Sequence, residues 1–295
     1  MSWKIVAASV TGKSHLDQNQ PCQDAHHHAV VQGVLLAVIC DGAGSAAESQ
    51  RGAACMSQQV VRGLSDRVHS GALPSLQAAN REAFIEVLRT VIAQAREQLV
   101  SSIAPPTPQT PQLPPAPESN QWPQTGVTPL AQTQQEQQQQ QQEAGRVQAT
   151  LRDFACTLVG CAASEDGGFF FHIGDGFAIY QQASGLAQLS LPENGEYADE
   201  TYFVTDHNWR EHLRITSLEP LEADSFLGLM SDGPAPFAVN KSKTAFYLPF
   251  IEPVMRFLRA APQTEGCLAL KNLLENEKTH HITGDDKSLL LAFKP

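Results

Sequence analysis

Apolar residues in this chain gather into short continuous runs bounded by glycine, proline and acidic residues. Examples are "VLLAVIC" (34–40), "FFFHI" (169–173), "FLGLM" (226–230) and "SLLLAF" (288–293). Runs of this length with β-branched and aromatic content predict buried strands. The full set of expected strands is 3–10, a pair within about 28–40, 154–163, 168–174, 176–182, 201–205, 213–217, 225–231 and 287–293, with a loop between the first strand and the pair. Helical spacing appears elsewhere. Ala53, Met56, Val60, Val61 and Leu64 predict a helix over Ala46 to Val68, and Phe84, Val87, Leu88, Val91, Ile92 and Leu99 predict another over about 78–100. Two more are expected near 250–260 and 264–276. Paired helices with long meandering runs of strands predict an α+β fold with antiparallel sheets.

Between the two halves the pattern breaks. Residues 101–130 hold nine of the chain's nineteen prolines, and 132–142 hold nine glutamines. Such a tract buries too little apolar surface to offset its ordering entropy, which predicts a disordered insertion over 101–148. Partner binding through this segment is the functional alternative, with Trp122 as its anchor. Acidic strand ends occur on both sides of the tract. The expectation is therefore one domain over 1–295, interrupted by the insertion.

Composition narrows the function classes. A net charge of −11 argues against a nucleic-acid or anionic-membrane partner, since either needs a basic face. No apolar run approaches a membrane span, and residues 1–12 lack the pattern of a signal peptide. The six cysteines form no CxxC pair and lie mostly in apolar segments, as reduced thiols of a cytoplasmic protein do.

Candidate chemistry lies where strands end. Asp41 follows "VLLAVIC" and precedes Gly42, Asp175 separates two apolar runs in "HIGDGFAIY", Asp232 ends "FLGLMSDG", and Asp285-Asp286 open the last strand. One Asp-Gly pair reads as a turn. Four acidic strand ends, with Asp24 in "PCQDA" as a fifth position, read instead as ligands of a hard divalent cation, Mg²⁺ or Mn²⁺, because converging carboxylates repel one another without one. Gly42 leaves its carbonyl open to coordinate, and "GAGSA" clears space for a phosphate. Two cations about 4 Å apart would activate a water and clamp a phosphoryl oxygen.

The order QDA, DGAGSA, GDG, SDG, GDDKSLLL resembles the metal-dependent protein phosphatases (PPM, or type 2C, serine/threonine phosphatases). "GKSHLDQNQPCQDA" (12–25) is similar to the opening motif of their bacterial branch. The resemblance covers nearly the whole chain outside 101–148. It implies a sandwich of two antiparallel β-sheets flanked by helix pairs, with a binuclear Mn²⁺ or Mg²⁺ site at one edge. It further implies that Asp41 bridges both metals and that the Gly42 carbonyl, Asp232 and Asp285 are ligands. By the same resemblance Asp24 serves the second metal's water shell, Asp175 a third, weaker site, and Asp286 is non-ligating. Three positions depart from the family pattern: Asn19 stands for a phosphate-gripping arginine, Gln23 for an acidic residue and Ala43 for a histidine.

Other residues are candidates for the missing roles. His15, in the polar loop before Asp24, is a candidate phosphate contact or general acid; Lys13 and Arg51 are weaker candidates for the phosphate grip. His26-His27-His28 reads as a polar strand start whose side chains alternate faces, and His172 as a core histidine. Cys22 has no activating base nearby. The expected activity is hydrolysis of phosphoserine or phosphothreonine in a protein substrate by a cytoplasmic, monomeric enzyme. The alternative is a pseudophosphatase that binds phosphoproteins without hydrolysis, which Asn19, Gln23 and Ala43 favour and the retained Asp41, Asp232 and Asp285 oppose. Hydrolysis of a small phosphorylated metabolite is a third reading.

Overall fold

The structure, a computed structural model, describes residues 3–103, 150–193 and 201–293. Ten strands form two five-stranded antiparallel sheets. The first sheet is ordered β1 (Lys4–Val10), β10 (Lys287–Phe293), β9 (Phe226–Met230), β6 (Phe177–Gln181), β7 (Ala187–Ser190). The second is ordered β2 (Ala25–Val31), β3 (Val34–Cys40), β4 (Leu158–Ser164), β5 (Gly167–Ile173), β8 (Arg214–Leu218). The neighbours β3 and β4 come from either side of residues 104–149.

The continuous apolar runs follow from burial on both faces. Leu35, Ala37 and Ile39 of β3 point between the sheets, where they meet Phe170, Tyr180, Leu229 and Leu290. Leu36, Val38 and Cys40 point the other way, onto α2 (Ser49–His69) and α3 (Arg81–Ile103). Likewise β10 sends Leu290 and Ala292 inward, and Leu289, Leu291 and Phe293 toward α5 (Leu248–Ala260) and α6 (Gln263–Leu274). The architecture is a helix–sheet–sheet–helix sandwich of the α+β class. Each fully buried leucine or phenylalanine contributes roughly 1.5–3 kcal/mol relative to exposure.

Several local expectations are corrected. Residues 201–205 form no strand: Val204 packs with Trp209 into the helix-side core, and its N–H donates to the Cys156 carbonyl (2.9 Å). The 154–163 strand begins only at Leu158, because Leu151–Phe154 is a 3-10 turn closed by a capping box between Thr150 and Asp153. The loop after β1 contains a short helix α1 (Lys13–Asp17), and the pair before α2 starts at Ala25. Besides α1, three further elements fall outside the expected set: β7, α4 (Ala235–Ala238) and α7 (Glu277–Ile282). Each has six residues or fewer, too few for periodicity to carry a signal. The 101–148 insertion lies outside the described residues except at its first three, which continue α3 to Ile103. Among the described residues no helix is long and apolar enough to cross a membrane.

Candidate active site

Four strand ends converge at one edge of the sandwich, two from each sheet. Asp41 follows β3, Asp175 follows β5, Asp232 follows β9, and Asp285-Asp286 precede β10. With His15, Gln23 and the Gly42–Ser45 segment they line a cleft of about 510 Å³. The segment after Asp41 is pinned to the chain before β4. Thr157 N–H donates to the Asp41 carbonyl (2.8 Å), and Ala43 N–H donates to the Ala155 carbonyl (2.9 Å). Asp41 N–H donates to Thr157 Oγ1 at 3.1 Å. Gly42 sits between these bonds as a bridge partner of Cys156, which leaves its carbonyl outside the ladder.

Asp24 lies behind the cleft and is buried. Its Oδ2 accepts from Ser231 Oγ (2.7 Å), and it lies close enough to Asp41 to interact with it. The site is strongly anionic, and the carboxyl groups respond. Burial, then the charges of Asp24, Asp232, Asp175 and Asp285, hold Asp41 well above the usual carboxylate range. Burial pushes Asp24 up to about 7, with the Ser231 hydroxyl opposing and the Asp286 charge adding to the shift. Burial and the charges of Asp285 and Asp175 push Asp232 up to about 6. Asp285 is also raised, chiefly by burial. Burial first, and neighbouring negative charge second, destabilise each group as an anion, which is the condition a bound cation relieves.

Among the described residues no three His, Cys, Asp or Glu side chains form a ready-made metal cage. The donor set nonetheless suits a hard cation. Asp24 Oδ1, Asp175 Oδ1, Asp232 Oδ1 and Gln23 Oε1 are buried oxygens without a hydrogen-bond partner. Buried acceptors are rarely left unpaired. All are oxygens, the donor type that Mg²⁺ and Mn²⁺ take.

Asp286 has a different task from its neighbour. Its Oδ1 accepts from Gly12 N–H (2.6 Å), its Oδ2 accepts from Gln23 N–H (2.5 Å), and His15 Nδ1 lies 3.0 Å from Oδ1. One buried carboxylate thus ties β10 to the segment carrying His15, Gln23 and Asp24. Asp286→Ala is expected to lower stability by about 2–4 kcal/mol, since it strands two buried N–H groups that now make charge-assisted bonds. Urea unfolding checks this, and a loss below about 1 kcal/mol would contradict the tethering role.

The other candidates separate clearly. His15 lies on α1, lines the cleft with Asp41, and its side chain is 16% exposed. Lys13 instead pairs with Asp17 (2.9 Å) and Arg51 with Glu48 (3.1 Å), both on the surface, and neither lines the cleft. Asn19 is exposed in a left-handed turn (φ 53°). His26 and His28 stack on one face of β2 with centroids 6.4 Å apart, while His27 is exposed. His172 is fully buried beside Ser190 Oγ (3.0 Å), and burial keeps its imidazole neutral. Burial and the charges of Asp24 and Asp286 push the Cys22 thiol up, the reverse of nucleophile activation. Sequence reasoning missed Thr157 and Ser231 as supports of Asp41 and Asp24.

Because Asp24 and Asp232 hold protons more tightly folded than unfolded (3.8), the stability they contribute is present in acid and is lost as pH rises through about 6 to 7. The metal-free protein is expected to melt ~5 °C or more lower at pH 8 than at pH 5. Added Mn²⁺ should raise Tm more at pH 8, where protons no longer compete. Scanning calorimetry with and without chelator reads both effects. A metal-free Tm that rises over this interval would contradict the electrostatics described.

The comparisons with known proteins agree with this architecture. The family model described as protein phosphatase 2C matches residues 11–275. The chain belongs to the protein phosphatase 2C family and is by class a serine/threonine phosphatase. It is similar to serine/threonine-protein phosphatase 3 of Escherichia coli (strain K12), 27% identical over 301 residues that cover 99% of this chain and 98% of the relative. Two solved structures share its fold. One is PppA, a key regulatory component of T6SS in Pseudomonas aeruginosa (TM-score 0.54, 16% identity, 99% of this chain and 97% of that one). The other is a bacterial serine phosphatase with the same four values.

Proposed function

We propose that the chain hydrolyses phosphoserine or phosphothreonine in a phosphoprotein with two bound Mn²⁺ or Mg²⁺ ions, from one catalytic domain interrupted at 101–148. The observation that supports this best is the set of unpartnered buried oxygens around Asp41, whose carboxyl group four other carboxylates burden. Asp41, the Gly42 carbonyl, Asp232 and Asp285 would hold the ions, with Asp24 behind them and Asp175 at a further, weaker position. When bound, such a pair supplies a nucleophilic water and neutralises charge on the phosphoryl oxygens.

The chain's own residues supply the rest. Gly42, Ala43, Gly44 and Ser45 leave room beside Asp41 for a phosphate. His15 fills the place of an acid: with Nδ1 lying 3.0 Å from Asp286 Oδ1, its Nε2 is the atom to donate a proton to the leaving oxygen. Thr157 and Ser231 fix the backbone of Asp41 and the carboxylate of Asp24. The retained carboxylates favour hydrolysis over binding without turnover.

Turnover of a phosphopeptide with Mn²⁺, then with chelator, then with Mn²⁺ restored, tests this reading; chelator-insensitive turnover, or none, would reject it. His15→Ala is expected to slow a phosphoserine peptide about 10²-fold and p-nitrophenyl phosphate far less, because that leaving group barely needs a proton. Equal, small effects on both substrates would remove His15 from the mechanism.

A further inference from the structure

The acidic cleft contains no lysine or arginine. A neighbouring cleft of about 660 Å³ shares Asp175, Thr201 and Asp232 with it, and its far wall carries Lys241 and Lys243. Both lysines are exposed, and among the described residues neither lies within ion-pairing distance of a carboxylate. They are the cationic groups lining this neighbouring cleft, in a chain where 31 acidic residues outnumber 20 basic ones.

Their loop is built rather than loose. Val239 and Phe246 close its base as a bridge, with Asn240 N–H donating to the Ala245 carbonyl (3.0 Å). The Asn240 side chain braces the interior: Oδ1 accepts from Thr244 N–H (2.9 Å) and Ser242 Oγ (3.2 Å), and Nδ2 donates to Thr244 Oγ1 (3.1 Å). Lys243 takes a left-handed backbone (φ 55°) while its N–H donates to the Asn240 carbonyl (2.9 Å). Its ammonium lies 5.7 Å from the centroid of Phe177. A preorganised loop holding two unpaired ammonium groups presents a cationic edge to whatever enters beside Asp175 and Asp232.

We infer that Lys241 and Lys243 select phosphoproteins with a second anionic group, a carboxylate or another phosphate, a few residues from the phosphoresidue. This rests on the phosphatase reading above and adds a substrate class to it. The physical need comes from the whole chain: a net charge of −11 repels an acidic peptide at long range, and a cationic edge beside Asp175 and Asp232 offsets that repulsion locally. Two exposed pairs of this kind give about three- to tenfold discrimination, falling with salt.

The test uses the full chain with Mn²⁺ and four phosphoserine peptides of equal length, with aspartate, neutral or arginine flanks or a second phosphoserine. The wild type should show kcat/KM about three- to tenfold higher for an anionic flank than for the neutral one, carried by KM and reduced at high salt. A preference for the aspartate peptide assigns a carboxylate as the anion, and one for the diphosphorylated peptide assigns a phosphate. Lys241→Ala/Lys243→Ala should erase the preference, and Lys241→Glu/Lys243→Glu should invert it toward the arginine peptide. Absence of preference in the wild type, or an alanine variant slowed equally on every peptide and on p-nitrophenyl phosphate, would overturn the inference. Should no peptide be hydrolysed under any metal, the phosphatase reading fails on its own. Fluorescence anisotropy of the same peptides then still reads whether the lysines rank them.

Discussion

Asp41→Asn is expected to reduce phosphopeptide turnover by roughly a thousandfold or more, about 4 kcal/mol of transition-state stabilisation. The same change should raise the melting temperature of the metal-free protein at pH 8. The two effects have one origin. Asp41 is half-buried, its carboxyl group enclosed by the charges of Asp24, Asp232, Asp175 and Asp285, so its ionised form costs folding energy unless a cation compensates. Asparagine keeps the shape and leaves the bonds from Asp41 N–H to Thr157 and from Thr157 N–H to the carbonyl of residue 41 in place. It removes the charge and turns one acceptor oxygen into an amide donor. A structural residue would lose stability and activity together, whereas opposite signs mark a group retained for chemistry. Steady-state kinetics and scanning calorimetry on one preparation measure both. Activity within tenfold of wild type, or a fall in metal-free Tm, would contradict the assignment.

Gly233→Ala should have the second largest effect, and through geometry. A Cβ at Gly233 would sit 1.9 Å from the Asp286 carbonyl oxygen, and one at Gly12 would sit 2.2 Å from the Asp285 carbonyl carbon. The Asp285-Asp286 backbone is therefore gripped between two glycines. A methyl group on either side has to push aside backbone, with no flexible side chain to yield. The expected result is a loss of about 2–4 kcal/mol in stability together with weaker cation binding, since Asp285 moves away from Asp232. Gly44→Ala is the control. The nearest atom to its Cβ would be Gln23 Oε1 at 4.0 Å, so its stability should stay within about 0.5 kcal/mol of wild type. Urea unfolding of the two variants side by side decides the matter. Equal stabilities would show that the loop relaxes freely.

The parts of this architecture that the sequence revealed are those with a local physical signature. Runs such as "VLLAVIC" are apolar at every position because Leu35, Ala37 and Ile39 meet the other sheet while Leu36, Val38 and Cys40 meet helices. The strand-end aspartates stood out because a charged residue directly after such a run conflicts with burial unless it has work to do. What the sequence hid depends on distant partners. Ser231 supports Asp24 across 207 residues, and Thr157 supports Asp41 across 116; neither hydroxyl has a pattern of its own. Asp286 showed no sign of its role as a tether, because that role exists only once Gly12 and Gln23 arrive beside it. The Tyr202–Val204 run misled for a related reason: three apolar residues suit a strand, but here Val204 serves the helix-side core beside Trp209.

The carboxylates around Asp41 are proposed to hold two divalent cations. Calorimetric titration of the chelator-treated protein with Mn²⁺ addresses it most directly, comparing wild type with Asp41→Asn and Asp232→Asn at pH 8. Two tight equivalents are expected in the wild type, with a loss of affinity of at least about tenfold in each variant, or about 1.4 kcal/mol. Unchanged Mn²⁺ affinity in both variants would contradict it.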